Sequence, residues 1–233
     1  MSGMSIVTYD RHIELDIKTK EPFDRIWAFH HREAPLLTVP DSLSDGICCP
    51  ALDNDEMTLI PLSRPVEQIR LCASVADSSF AHSAFYGFSL ENGRSGVLYH
   101  SFGINGNTYA AINRNPQIVR QASGLCPDLV IVSLGTNDSY GASFDPADAD
   151  VQITRLIDSI RRNMPASVLL LTTPMEHCRR IRSKGRTYRK PNPNACAMRE
   201  CILRQAALYR LPVWDFYAAA GGDGAMGRWA DLG

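Results

Sequence analysis

The chain has 233 residues, 45% of them hydrophobic and 21% charged, with 24 Lys and Arg against 25 Asp and Glu. That length holds one large domain or two modest ones, each able to bury a core. A net charge of -1 makes no global field that would gather nucleic acid or an anionic membrane, and no run approaches the ~18 apolar residues of a membrane span.

Residues 1–20 contain no apolar stretch of the secretory kind, because Asp10, Arg11, Glu14 and Asp16 interrupt it. The seven cysteines are odd in number and lack zinc or redox spacing, so they read as reduced thiols. On these grounds alone the chain reads as cytoplasmic.

Two textures follow one another. Over residues 1–93, short apolar runs at 25–29, 36–39, 57–62, 68–73 and 83–90 alternate with turn formers. Prolines at 22, 35, 40, 50, 61 and 65 suit strand ends and loops. The expectation is antiparallel β-structure, part of a β-sandwich.

Over residues 94–233 strands alternate with helices. Residues 96–104 read as a strand and 109–122 as a helix. The run Asp-Leu-Val-Ile-Val-Ser-Leu at 128–134 has the continuous β-branched character of a central, doubly buried parallel strand. A helix is expected over 146–163, with Val151, Ile153, Leu156, Ile157 and Ile160 on its apolar face and Asp145, Asp148 and Asp150 near its positive end. A strand at 167–173, a helix at 194–209 and a short strand at 211–216 complete the pattern. This order implies a flavodoxin-like, three-layer α/β fold, a parallel sheet with helices on both faces.

In such sheets chemistry collects at the carboxyl ends of the strands. Two polar segments fall there: Gly103-Ile-Asn-Gly-Asn-Thr and Leu134-Gly-Thr-Asn-Asp-Ser-Tyr-Gly. Either could be a tight strand-to-helix turn in which Asn and Gly supply unusual dihedrals. Together, ending consecutive strands, they place backbone N–H groups and an asparagine carboxamide at one crevice, the equipment of an oxyanion hole.

These segments resemble the second and third blocks of SGNH (GDSL-like) hydrolases. Residues 102–108 are similar to the second block, and 130–138 to the Gly-x-Asn-Asp block. The resemblance implies that Gly106, through its backbone N–H, and Asn137, through its side chain, form the oxyanion hole. Asn105, Asn107, Asp138 and His177 are the residues expected to touch substrate beside it. More narrowly, residues 99–173, Trp214-Asp-Phe-Tyr and Gly221-Gly-Asp-Gly-Ala-Met resemble peptidoglycan O-acetylesterase-like proteins, in which a carbohydrate-binding-like β-sandwich is inserted in the hydrolase. The implied activity is removal of O-acetyl groups from a bacterial polysaccharide by a serine esterase, which would place the full-length protein in the periplasm or outside the cell.

The pattern departs from the family at both ends. No Gly-Asp-Ser is present: Asp77-Ser78 stands in an Ala-Asp-Ser-Ser context, and Ser44-Asp45-Gly46 has the wrong order. None of the histidines (12, 30, 31, 82, 100, 177) follows an aspartate as the last block requires. The expectation is truncation at both ends, an oxyanion site without nucleophile or base, and no activity for the chain alone.

Residues 179–190 (RRIRSKGRTYRK) concentrate seven basic residues. They read either as a solvated loop between strand and helix or as a rim for an anionic polymer. The aromatics Trp214, Phe216, Tyr217 and Trp229 read as packing under the last helix or as platforms for sugar rings. Two other functions compete with the esterase. One is a non-catalytic glycan-binding protein. The other is a phosphate binder, disfavoured because neither glycine-rich turn is a P-loop or Gly-x-Gly-x-x-Gly. No metal-ligand spacing appears, no cofactor is expected, and the partner is an acetylated polysaccharide or small ester, not nucleic acid.

Overall fold

The computed structural model describes residues 6–44, 49–50, 56–75, 81–183 and 185–231. The chain divides into two compact units, Met1–Ile104 and Asn105–Gly233. No helix among the described residues is long and apolar enough to cross a membrane.

The first unit is a five-stranded antiparallel sheet of order β1-β5-β2-β4-β3, with β1 Ile6–Thr8, β2 His12–His30, β3 Cys49–Pro50, β4 Met57–Ser74 and β5 Ser83–Glu91. The short runs expected at 57–62 and 68–73 merge into one 18-residue strand, β4, paired along most of the 19-residue β2. The run at 36–39 forms only a bridge, Thr38 to Cys72.

Pro22, Pro61 and Pro65 lie inside β2 and β4, not at strand ends. The pairing slips between Lys18, Phe23 and Arg25, and the stretches containing Pro22 and Pro65 are left out of the ladder there. A bulge removes the demand for the amide that proline lacks. Ile13, Phe23, Ile26, Ile60, Leu62, Ile69, Leu71 and Phe85 form the core.

The second unit begins with two short helices, α1 Tyr109–Arg114 and α2 Gln117–Ser123. The single helix expected over 109–122 breaks at Asn115-Pro116, since proline has no amide to continue the ladder. The strands are β6 Leu129–Ser133, β7 Val168–Thr172 and β10 Val213–Trp214, parallel, in the order β10-β7-β6. Helices α3 Pro146–Asn163 and α4 Asn194–Tyr209 connect them and match the expected bounds. Asp145 caps α3 by accepting from Ala147 N at 2.9 Å, and Asp150 pairs with Arg204 of α4 at 2.6 Å. Two short helices follow, α5 Phe216–Ala219 and α6 Ala225–Asp231.

Two expectations are corrected. Residues 96–104 form no strand, and Val97 and Tyr99 are almost fully exposed. Consequently β7 is the central strand and β6 an edge. The mixed α/β architecture around a parallel sheet is as expected, and α1–α4 share one face of that sheet. The chain steps from β6 to β7 to β10 in one direction, so right-handed crossovers bring α3 and α4 to the same face. Val130, Val132, Leu169, Leu171 and Val213 pack there against α1–α4. The other face carries Leu129, Ile131, Val168 and Trp214, each about half exposed. Trp214 stacks on Phe216, ring centroids 4.8 Å apart, while Tyr217 is buried.

Residues 179–190 are not a loop. They form an antiparallel ribbon of β8 Cys178–Ser183 and β9 Arg186–Pro191, turning through Gly185 at φ 73°.

Past the sheet, Asp215 ties α4, β7 and α5 together. Arg199 of α4 donates Nε and Nη2 to its carboxylate at 3.0 and 2.6 Å, Thr173 Oγ1 donates at 2.9 Å, and Asp215 itself caps α5 through Ala218 N. The Arg199 hydrogen bonds are the main influence holding the Asp215 carboxyl below its ordinary pKa. A lowered folded-state pKa contributes stability that is present above the ordinary carboxylate range and lost as pH falls through the lowered value. Arg199→Met is therefore expected to lower unfolding free energy by about 1 kcal/mol near neutral pH. Denaturant titrations at several pH values check this, the gap from wild type closing below about pH 4.

Candidate functional site

The two glycine-rich loops meet. Asn137 Nδ2 donates to the backbone oxygen of Asn107 at 2.9 Å, and Tyr109 N donates to Asp138 Oδ1 at 2.9 Å. Adjacent residues of the loop after β6 thus grip the loop that starts α1.

The receiving loop is locally ordered as well. Asn107 Oδ1 accepts from Thr108 N at 3.1 Å, and Thr108 Oγ1 caps α1 by accepting from Ala111 N at 3.0 Å. Between Asn105 and Asn107 the chain turns through Gly106 at φ 81°, a left-handed conformation that glycine adopts without strain.

The loop after β6 owes its shape to Gly135. Its φ is 112°, and a Cβ there would lie 3.1 Å from Met198 Cγ and 3.2 Å from Pro174 Cδ. Its carbonyl accepts from Ser139 N at 3.0 Å and Ser139 Oγ at 2.7 Å. Ser139 is fully buried, so its hydroxyl is a staple of the turn and no nucleophile.

Asn137 and Gly106 are both exposed. A primary carboxamide has two N–H groups. One of those on Asn137 is spent on Asn107, and the other has no acceptor among the described residues. The Gly106 amide has no hydrogen bond among the described residues. The neighbouring loops thus carry two unspent donors, the kind of group that stabilises a developing oxyanion.

Asp138 is a strut. Its Oδ2 is shielded and has no partner among the described residues, while Oδ1 serves α1. Burial, the largest influence, raises its carboxyl above the ordinary value, against backbone groups of Tyr109, Asp138 and Gly135 that pull it down. Asn105 is exposed in the turn. Asn107 is engaged through both its backbone oxygen and its side chain.

His177, in the segment between β7 and β8, stacks its ring on Tyr140 of the loop after β6, centroids 6.1 Å apart. Its Nε2 lies 3.1 Å from Asn192 Nδ2. Asn192, which sequence reasoning missed, is 2% exposed and also donates to Ser139 O at 2.8 Å, while its backbone N donates to His177 O at 2.9 Å. With the carboxamide donating to Nε2, the ring proton sits on Nδ1. Burial lowers the pKa of His177, so the ring is neutral at neutral pH. The signal in the sequence is an asparagine between two prolines, Pro191 and Pro193, where a rigid backbone presents one polar side chain.

Ser101 is exposed. Asp77-Ser78 and Asp45-Gly46 lie outside the described residues. The cleft lined by Ile112, Asn113, Pro116, Val119, Arg155 and Leu156 includes none of the site residues.

Removing the Asp138 strut leaves the first amide of α1 without its acceptor. Asp138→Ala is expected to lower stability by about 1–2 kcal/mol. Asp138→Asn, which keeps an oxygen facing Tyr109 N, should cost less than half of that. Urea unfolding midpoints of the two variants check the order.

Comparison with known proteins adds to this geometry. The sequence matches the GDSL-like lipase/acylhydrolase family over residues 76–232. Among solved structures, a peptidoglycan O-acetylesterase is similar with a TM-score of 0.56 and 16% identity, covering 99% of this chain and 70% of that one. A possible lipase from Chitinophaga pinensis has a TM-score of 0.39 and 22% identity, over 52% of each chain. A GDSL-like lipase from Bacteroides thetaiotaomicron has 0.38 and 18%, over 50% of this chain and 55% of that one. At 16% identity the likeness to the peptidoglycan O-acetylesterase is one of fold. No curated protein sequence matches. The match over residues 76–232, which takes in both loops and more than half of the chain, shows that the chain belongs to the GDSL-like lipase/acylhydrolase family of ester hydrolases.

Proposed function

We propose that this chain carries the oxyanion-binding part of a serine esterase that removes O-acetyl groups from a bacterial polysaccharide such as peptidoglycan. The observation that carries the reading is the Asn137–Asn107 hydrogen bond. An asparagine kept only for its turn would cap its own loop or the next helix. This one reaches across to the loop of Gly106 and keeps one N–H in reserve.

In ester hydrolysis an oxygen nucleophile adds to the acyl carbon, and the carbonyl oxygen gains the charge. The Gly106 N–H and the free Asn137 N–H would bind that oxygen, and their hydrogen bonds would strengthen as the charge develops. Such donors raise kcat more than they tighten substrate binding. The nucleophilic serine and its histidine base are not among the residues assigned here. His177 is held by Asn192 at Nε2, and Ser139 is buried at Gly135. The acetyl group and the glycan follow from the resemblance set out above, and the likeness of fold to a peptidoglycan O-acetylesterase supports them.

The 233-residue polypeptide is expected to give no p-nitrophenyl acetate hydrolysis above background and no labelling by a fluorophosphonate probe. Labelling of a serine within it would overturn the assignment of an oxyanion site without a nucleophile. In a longer form that supplies nucleophile and base, Asn137→Ala should lower kcat by about a hundredfold with KM nearly unchanged. An unchanged kcat would remove Asn137 from the reaction.

A further inference from the structure

The ribbon β8–β9 concentrates charge as no other part of the chain does. Residues 179–190 contain seven of the 24 Lys and Arg and no Asp or Glu. Lys184 lies outside the described residues; the other six are on the ribbon.

Register makes the concentration costly. Arg179 is directly opposite Lys190, and Arg180 directly opposite Arg189. Like charges at opposed positions of an antiparallel pair destabilise it, and a lone two-stranded ribbon is marginal to begin with. Several arginines elsewhere in the unit are partnered: Arg199 with Asp215, Arg204 with Asp150, Arg161 with the carbonyl of Tyr209, Arg228 with those of Gly221 and Asp223. None of the six ribbon cations has an ion pair or hydrogen bond among the described residues, and Arg179 Nε is shielded from solvent without an acceptor.

The two faces differ. One carries Arg180, Arg182 and Arg189. On the other, Ile181 lies opposite Tyr188, with Arg179 and Lys190 towards the base and Arg186 towards the tip. Tyr188 is 49% exposed, so an apolar platform lies between cations. Lys190 and Arg186, four residues apart on one strand, are about 13 Å apart along it. The base is fixed: Asn192 N donates to His177 O, and its side chain to Ser139 O, two residues beyond Asn137.

We infer that this ribbon binds a linear, carboxylate-bearing glycan and leads it towards the loop of Asn137. Cations at both ends of the platform suit acidic groups spaced along a chain, and a half-exposed tyrosine suits the face of a sugar ring between them. Single-stranded nucleic acid calls for several stacking platforms in succession, and the ribbon has one exposed aromatic, Tyr188. The choice of a glycan rests on the esterase reading above. The anionic-polymer surface itself does not.

Binding of alginate to the 233-residue chain tests this without any ester chemistry, with neutral dextran and an oligo-dT of matched charge for comparison. Alginate is expected to bind with an affinity that falls about tenfold or more between 50 and 200 mM salt, and dextran is expected not to bind. Lys190→Glu places an opposite charge across from Arg179 on the Tyr188 face, so the ribbon should hold at least as well, with an unchanged or higher Tm. Alginate affinity should nevertheless drop about tenfold. Tyr188→Ala, which keeps every charge, should weaken alginate severalfold and leave oligo-dT binding as it was. Wild-type affinity in Lys190→Glu would overturn the inference, and so would oligo-dT binding more tightly than alginate. If Asn137→Ala left kcat unchanged while alginate still required Lys190, the esterase reading would fail and the polymer surface would stand.

Discussion

The oxyanion site depends on the two hydrogen bonds that join the loop after β6 to the loop before α1. Asn137 reaches the Asn107 carbonyl and Asp138 reaches the Tyr109 amide, each at 2.9 Å. Because the donor Asn137 and the acceptor Asp138 are adjacent residues, the grip fixes the facing loop in both position and orientation. Gly135 lets the donor loop turn, Ser139 staples it, and Asn192 ties its far end to His177. The outcome is a rigid frame from which the Gly106 amide and one Asn137 N–H remain unspent. Pre-organised donors of this kind need no rearrangement when charge appears, which is the physical basis of oxyanion stabilisation.

The sheet beneath sets the end at which the loop after β6 lies, and the two hydrogen bonds hold the loop before α1 to it. Parallel strands joined by helical crossovers bring all βα turns to the carboxyl edge. The three described strands advance in one direction, so α3 and α4 cover one face and leave Leu129, Ile131 and Val168 half exposed on the other.

Strong local signals were legible in the sequence. The apolar stripe of 146–163 and the run at 194–209 place α3 and α4 with the observed bounds, and the β-branched run at 128–134 marks β6. The pairing of Gly-x-Asn-Gly with Gly-x-Asn-Asp identified the two loops that the structure joins. What failed depended on partners that local pattern cannot see. Apolar alternation over 96–104 suggests a strand, yet a strand exists only where a neighbour accepts its ladder. For the same reason, β-branched content could not tell an edge from a centre. Asn115-Pro116 was readable as a helix break and was passed over because the apolar spacing continued through it. The ribbon at 178–191 was obscured by its arginines, although Gly185 between two alternating stretches is a hairpin signal. The role of Asp138 as a strut needed the position of an amide 29 residues away.

The central claim is that one Asn137 N–H is bound to Asn107 and the other is free. Nuclear magnetic resonance of the uniformly labelled chain measures this directly, through solvent exchange of the two Asn137 side-chain protons and the coupling of one to the Asn107 carbonyl across the hydrogen bond. The account predicts one slowly exchanging proton coupled to that carbonyl and one exchanging at the rate of an exposed asparagine. Two protons exchanging equally fast, with no coupling, would mean that Asn137 does not bridge the loops, and the oxyanion assignment would lose its structural basis.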